Sequence, residues 1–393
     1  MRTSLFTELA DRGRPLRAGL VGAGKFATMF ARQAARVPGL EVAWVADLEL
    51  SRGRDAAPDA EVSIDALALI AARRADVVVE ATGSPPAAVR HALAALEHGQ
   101  HVVNVTVEAD VVAGPALARR AREAGLVYTL AWGDQPALIC DLVDWARVSG
   151  FSVACAGKGT RHEPGFEQAN PETVWEYWGS RPVGGDPQMY ASFADGTKSA
   201  IEMAAVCNAT GLEPQARGLA FPRRTVADLA ELPSLLERQG TVEAVAGDEL
   251  RWGVYVVFEV PDEFTLRTLR EYGAPTTETH AALWRPLHLV GLELAVSVVR
   301  AGLRGEATGA PDALRASVAA NAKRDLHAGE TLDGEGGFCA YGVLVRTAEA
   351  SGHLPIGLSR GAVLRRDVAA GARIATDDVE LAAEAAELLP LFG

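Results

Sequence analysis

The stretch from Arg17 to Asp47 limits the fold more than any other part of the chain. It opens with RAGLVG, a short apolar run stopped by glycine, and passes into GKFATMFARQAARVPGL, where Phe26, Met29, Phe30 and Ala34 fall at helical spacing. LEVAWVAD follows as a second apolar run ending on Asp47. Strand, tight turn, helix and strand in that order make one doubly wound βαβ unit. Gly22 and Gly24 let the turn close and let an anion reach backbone N–H groups at the helix start, while Ala27 is the small residue needed where helix meets strand. An acid at the end of the next strand is where a ribose needs a hydrogen-bond acceptor. The pattern predicts a Rossmann domain that holds NAD(H) or NADP(H) on Gly22, Ala23, Gly24, Lys25, Phe26 and Asp47. Asp47 repels a 2′-phosphate and favours NAD, whereas Arg52 and Arg54 offer such a phosphate a counter-charge and keep NADP open.

The alternation continues. ADVVVEATGSP is an apolar strand running into a Gly and Pro turn, and HALAALEHGQHVVNVTVEAD supplies a helix and another strand. PALARRAREAGLVYTLAWGDQPAL carries the sheet on to about residue 150. Ligands of such sheets lie beyond the carboxyl ends of the strands. That rule places Glu80, Ala81, Thr82 and Gly83 near the nicotinamide end, and Glu108, after Thr106 and Val107 in a polar loop, within reach of substrate.

At 393 residues with 49% hydrophobic side chains, the chain can bury two or three cores. Its 51 acidic and 38 basic side chains give a formal charge of −13, which repels a nucleic-acid backbone and an anionic membrane alike. A small-molecule substrate is therefore expected, without nucleic acid or membrane as partner; a local group of Lys and Arg still suits an anionic substrate. Cys140, Cys155, Cys207 and Cys339 form no C-x-x-C pair and read as buried thiols in a reducing cytoplasm, not as a zinc site or a disulfide framework. MRTSLFTELADRGRP lacks a long apolar region, so a cytoplasmic protein is expected.

Past residue 150 the alternation breaks. FSVACAGKGTRHEPG reads as a strand opening into a glycine-rich polar loop that carries Lys158 and Thr160. In SFADGTKSAIEMAAVCNATGL a helix starts: Asp195 and Thr197 suit a cap, Ser199 with Glu202 suits a capping box, and Ile201, Ala204 and Ala205 make the buried face. Lys198 in the first turn opposes the helix dipole, a placement that invites a functional reason. Hydride transfer at a carbon bearing oxygen needs a group that gives or takes the hydroxyl proton, and a desolvated lysine can be tuned for it. Lys198 and Lys158 are the candidates, with Asp195 and Glu202 to orient a lysine and Thr160 and Thr197 to meet substrate; solvated loop and cap lysines are the plain alternative. His162 and His288 stand alone and read as structural. RWGVYVVFEV reads as a strand and HAALWRPLHLVGLELAVSVV as a long apolar helix packing back on the first domain.

KRDLHAGETLD at 323–333 and RRDVAAGARIA at 365–375 echo one another, each with an Ala-Gly turn between short apolar runs. The echo predicts a small β-rich module with pseudo-symmetric halves. In it, DGEGG, with Asp333 and Glu335, is a glycine-rich acidic loop of the kind that can lie over a ligand. The expected class is α/β: Rossmann domain 1–150, α+β substrate domain 151–308 and C-terminal module 309–393.

The segments GLVGAGKFATMFARQAARVPG, VVVEATGSP, GDQPALICDLVDWARVSGF, AGKGT, DGTKSAIEMAAVCNATGL and KRDLHAGETLDGEGG resemble the homoserine-dehydrogenase-like NAD(P)-dependent oxidoreductases with a C-terminal SAF domain. That family includes a 1-deoxy-D-xylulose 5-phosphate reductoisomerase-like enzyme and a D-apionate oxidoisomerase. The resemblance implies a nicotinamide cofactor and redox chemistry on a small polyhydroxy acid or sugar phosphate, with or without coupled isomerisation, in a homo-oligomer. It places Asp195 and Lys198 in the roles of the acid and the essential lysine of homoserine dehydrogenases. Val107 and Glu108 stand where those enzymes carry an Asn-Lys pair, which points away from homoserine as substrate. The resemblance also leaves a divalent cation open; no spaced ligand cluster signals a metal, and Glu108, Asp195 and Glu202 are the acids that would have to converge on one. A homoserine dehydrogenase and a non-catalytic dinucleotide sensor are the rival readings.

Overall fold

Parallel strands buried on both faces read as runs of Val and Leu, and the strand Val77–Glu80 (VVVE), buried at all four positions, shows what the first half of the chain builds. The computed structural model describes residues 4–181 and 185–391. They form two compact units: the residues up to Leu138 with Leu289–Asp312, and Ile139–His288 with the residues from Ala313 on. Among the described residues no helix is long and apolar enough to cross a membrane.

In the first unit β1 (Leu16–Val21), β2 (Leu40–Ala46), β3 (Glu61–Ser63), β4 (Val77–Glu80), β5 (His101–Asn104) and β6 (Tyr128–Leu130) make a parallel sheet in the order β3-β2-β1-β4-β5-β6. This order puts the switch point between β1 and β4, where such sheets bind ligands. The helices alternate with these strands: α1 (Leu5–Ala10), α2 (Lys25–Ala34), α3 (Leu50–Ala56), α4 (Ala66–Ala71), α5 (Pro85–Glu97) and α6 (Val107–Glu123); α7 (Gln135–Val148) starts in this unit and continues into the second. Trp44 is fully buried against β1 because Gly19 opposite has no Cβ; one there would lie 2.1 Å from the indole. The core joins Leu20, Phe30, Val45 and Val79 to Leu294 and Val298. Glu108 departs from expectation by lying in the first turn of α6 and not in a loop.

The second unit carries β7 (Val153–Thr160), β8 (Thr241–Ala246), β9 (Val254–Glu259) and β10 (His280–Arg285) in a mixed sheet ordered β10-β9-β7-β8. Its helices are α8 (Val174–Trp178), α9 (Pro187–Ala194), α10 (Thr197–Thr210) and α11 (Glu263–Glu271). The antiparallel hairpin of β11 (Ala316–Ala322) and β12 (Ala340–Arg346) and the short pair β13 (Val363–Leu364) and β14 (Val379–Glu380) complete it. α10 touches both this hairpin and the sheet, so it is buried nearly all round.

Three sequence expectations are corrected here. HAALWR is the strand β10, because pairing with β9 outweighs its apolar helical spacing and Pro286 has no N–H to continue; the helix that follows is only Ala295–Val299, extended by a wider turn to Arg304. Lys158 sits inside β7, since Gly157 and Gly159 on the other strand face let the Glu243 and Leu250 carbonyls approach and hold the segment extended. Ser199 and Glu202 form no capping box: the helix starts one turn earlier, on Gly196 at φ +85°, and Asp195 Oδ1 accepts the Thr197 N–H at 2.9 Å.

The sequence echo becomes a pseudo-twofold. Leu326 and Val368 exchange backbone hydrogen bonds of 2.9 Å each way. Asp325 Oδ1 accepts the Ala370 N–H and Asp367 Oδ1 accepts the Ala328 N–H, each at 2.8 Å, so each copy stabilises the Ala-Gly turn of the other.

Candidate functional site

The glycine turn of the first unit is shaped by close backbone approach. Gly22 has φ +89°, and a Cβ there would lie 2.7 Å from the Ala81 carbonyl, so no other residue fits without strain. Gly24 is the exposed N-cap of α2 and makes no side-chain cap; a Cβ on it would meet nothing within 4 Å. The first N–H groups of α2, from Lys25 and Phe26 onward, are thus open to an anion. Asp47, at the end of β2, accepts the Ala23 N–H on Oδ2 at 2.7 Å and the Glu49 N–H on Oδ1 at 2.8 Å, which fixes the carboxylate beside the turn. Arg52 pairs with Glu49 at 2.8 Å.

At the end of β4 the fully buried Glu80 accepts the Thr82 hydroxyl at 2.6 Å and the Thr106 hydroxyl at 2.5 Å, and Thr106 Oγ1 accepts the Gly83 N–H at 3.0 Å. These bonds set the course of Ala81, Thr82 and Gly83. Glu108 is 7% exposed on α6, and burial pushes the neighbouring Asp110 carboxyl up to about 7. The residues of this turn fit a dinucleotide: a tight backbone cradle, open helix N–H groups and a fixed acid.

The second unit brings together two of the expected proton-transfer residues. The Lys158 ammonium, projecting from β7, makes an ion pair with Glu202 on α10, and each side chain is 3% exposed. Glu202 is one helical turn beyond Lys198, which is half-buried in the first turn. His288 feels the charges of both Lys158 and Glu202; its Nδ1 lies 2.7 Å from the Trp252 carbonyl, which fixes Nδ1 as the protonated nitrogen and leaves Nε2 as the acceptor. Burial, with Lys158 adding to it, lowers the His288 pKa, so the ring is neutral at pH 7.

Asp195 meets a lysine of the C-terminal module. Its Oδ2 lies 2.8 Å from Lys323 Nζ of the C-terminal module, and Lys323 also donates to the Ala169 and Gly337 carbonyls. Burial outweighs that cation and leaves the Asp195 pKa raised. Asp195 also lines a cavity of about 640 Å³ with His162, Phe221, Asn321 and Tyr341. There the His162 ring stacks at 3.9 Å on Phe221, a non-glycine residue at φ +52° whose turn is held by N–H bonds to the buried Glu243 carboxylate. Thr197 is fully buried, its Oγ1 accepting the Gly342 N–H at 2.7 Å; Thr160, at the end of β7, is 8% exposed. From the DGEGG loop, the Asp333 and Glu335 carbonyls each accept a bond from Gln188 at 2.9 Å. Among the described residues no cluster of three or more His, Cys, Asp or Glu is placed to hold a metal, and Asp195 and Glu202 are each taken by a lysine.

His288 and Lys323 carry no local sequence signal, since the charged groups they meet, Lys158 and Glu202 for His288 and Asp195 for Lys323, come from segments distant in the chain. The run of two glycines around Lys158 was the one hint that this lysine lies against a close-packed backbone.

Two family models match the chain. Residues 18–130 match the homoserine dehydrogenase NAD binding domain, and residues 133–294 match the oxidoreductase DRL catalytic domain. No curated protein matches. Among solved structures, a homoserine dehydrogenase from Thiobacillus denitrificans is 13% identical with a TM-score of 0.48, covering 79% of this chain and 83% of that one. A myo-inositol 2-dehydrogenase from Lactobacillus plantarum is 12% identical with a TM-score of 0.40, covering 75% and 91%. The β3-β2-β1-β4-β5-β6 sheet with its glycine turn lies in the stretch similar to a homoserine dehydrogenase NAD binding domain, the next stretch is similar to an oxidoreductase DRL catalytic domain, and the chain is an NAD(P)-dependent oxidoreductase of the dehydrogenase/reductase type.

Proposed function

We propose that the protein oxidises or reduces the CH–OH/C=O group of a small polyhydroxy acid or sugar phosphate, with NAD(H) as the preferred cofactor and Lys158 as the proton-transfer group. The observation that carries this reading is the buried Lys158–Glu202 pair in the unit that holds most of the catalytic-domain match. Gly22, Ala23, Gly24 and the start of α2 would hold the diphosphate and Asp47 the ribose hydroxyls. The bound nicotinamide supplies or accepts the hydride.

Lys158 does the acid–base work. Its Nζ gives a proton to the substrate oxygen during reduction and takes it back during oxidation, and Glu202 holds the ammonium in place. His288, with Nε2 as acceptor, stands ready to receive a proton from that pair. Lys198 stands on the same helix as Glu202, and Asp195, just before that helix, lines the cavity. An acid–base pair at a ketose oxygen also serves an α-ketol or retro-aldol/aldol step, so a coupled isomerisation belongs to the same reading. Carbon NMR of the product skeleton decides it.

The test is nicotinamide absorbance with purified protein and a panel of polyols, hydroxy acids, sugar phosphates and homoserine. Turnover of a hydroxy acid or sugar phosphate supports the proposal. Turnover of homoserine alone makes the protein a homoserine dehydrogenase, and cofactor binding without any turnover makes it a sensor. Lys158→Met should lower turnover by roughly a hundredfold or more and leave cofactor affinity nearly intact.

A further inference from the structure

Arg161 follows Lys158 by three positions, just past the end of β7, and Arg251 stands in the turn joining β8 to β9. Both guanidiniums lie on one indole: Arg161 Cζ is 5.9 Å and Arg251 Cζ 5.0 Å from the centre of the Trp178 ring. Arg251 is also 4.7 Å from Trp252, whose carbonyl fixes the His288 ring beside Lys158 and Glu202. The two arginines and the proposed proton-transfer pair are therefore linked through consecutive contacts inside one unit.

Two partly buried cations side by side are unfavourable unless an anion joins them. Burial and the charge of Arg161 both lower the Arg251 pKa, yet no carboxylate forms an ion pair with either arginine among the described residues. Among the described residues Arg161 donates to the Trp178 carbonyl alone, at 2.5 Å. Arg251 Nε is buried without a hydrogen-bond partner, and Asp248, the acid that acts on it through space, is exposed. The fold thus leaves most of the donors of two guanidiniums uncommitted while the Trp178 ring holds both groups near one another. Such a preorganised fork suits the oxygens of a phosphate or carboxylate and loses little side-chain entropy on binding.

We propose that Arg161 and Arg251 bind the oxyanion at the end of the substrate whose CH–OH group Lys158 serves, an inference that rests on the dehydrogenase reading above. It selects for acids and phosphate esters against neutral polyols of the same length.

The experiment follows intrinsic tryptophan fluorescence of the full chain during titration with inorganic phosphate and, separately, with malonate. Saturable binding of at least one anion is expected, weakened about tenfold or more by Arg251→Gln and by Arg161→Gln. Arg251→Lys, which keeps the charge and loses the fork, should fall between. Stronger binding of phosphate assigns the subsite to a phosphate ester, and stronger binding of malonate assigns it to a carboxylate. No response to either anion, or equal affinity in wild type and both Gln variants with unchanged circular dichroism, overturns the proposal. Titration of the same preparations with NADH separates the two readings: normal NADH binding without an anion response removes the subsite alone, whereas absent NADH binding removes the dehydrogenase reading.

Discussion

Lys158 of β7 and Glu202 of α10 form an ion pair that is buried on both sides, joining the mixed sheet to the helix that crosses it. Removing one partner leaves a charge without a counter-charge, which costs about 3–5 kcal/mol. Lys158→Met and Glu202→Leu should each lower the unfolding free energy by that order, and the double variant should recover most of it. Turnover should fall in all three by roughly a hundredfold to ten-thousandfold, the range of a lost general acid–base group. Denaturant titration and steady-state kinetics read the two effects separately, and a double variant that keeps turnover removes Lys158 from proton transfer.

Asp47 touches the glycine turn through the Ala23 N–H. Asp47→Ala should weaken NAD(H) about tenfold, the worth of one hydrogen bond to a charged acceptor, and should shift the preference toward NADP(H). Fluorescence titration with both nucleotides measures the ratio. An unchanged ratio would mean that Asp47 only braces the turn.

Gly22 combines φ +89° with a backbone oxygen where its Cβ would stand. Gly22→Ala should cost about 1–3 kcal/mol of stability and reduce dinucleotide affinity. Gly24→Ala meets no such contact and should leave stability nearly unchanged, so the pair separates backbone strain from loss of the cradle.

Burial holds the Glu243 carboxyl up to about 7 from an ordinary 4.5, and its hydrogen bonds from Ala220, Phe221 and Ala244 only partly oppose this. The folded chain therefore keeps a proton that the unfolded chain releases at lower pH. The stabilisation is full below about pH 4.5 and is lost as pH rises toward about 7, on the order of 3 kcal/mol in all. Denaturant titrations across that window should show unfolding free energy falling with pH, less steeply in Glu243→Gln. The same slope in both proteins would show that Glu243 titrates as an ordinary glutamate.

Asp325 and Asp367 each hold the turn of the opposite repeat. Replacing either by Ala should cost about 1 kcal/mol, as for a lost helix cap, and the two losses should be alike. Unequal losses in thermal or denaturant unfolding would show that the twofold likeness does not extend to energetics.

The nucleotide half was legible because its determinants are local. Two glycines, a small residue at the helix, and an acid at the next strand end lie within one short stretch, and each is dictated by backbone geometry at its own position. The repeat in the C-terminal module was legible for a related reason, since equal environments demand equal residues. HAALWR shows where that logic stops: its apolar spacing suits a helix as well as a strand, and β9 alone decided.

Sequence alone determined the parallel sheet, the glycine turn with Asp47 and the likeness of the two repeats, because each follows from periodicity or from conformations open to few residue types. Only the tertiary structure decided that Lys158 meets Glu202, that Lys323 meets Asp195, and that two arginines share Trp178. Those contacts join segments far apart in the chain, where electrostatic partners are chosen by packing and by the cost of burying a charge alone.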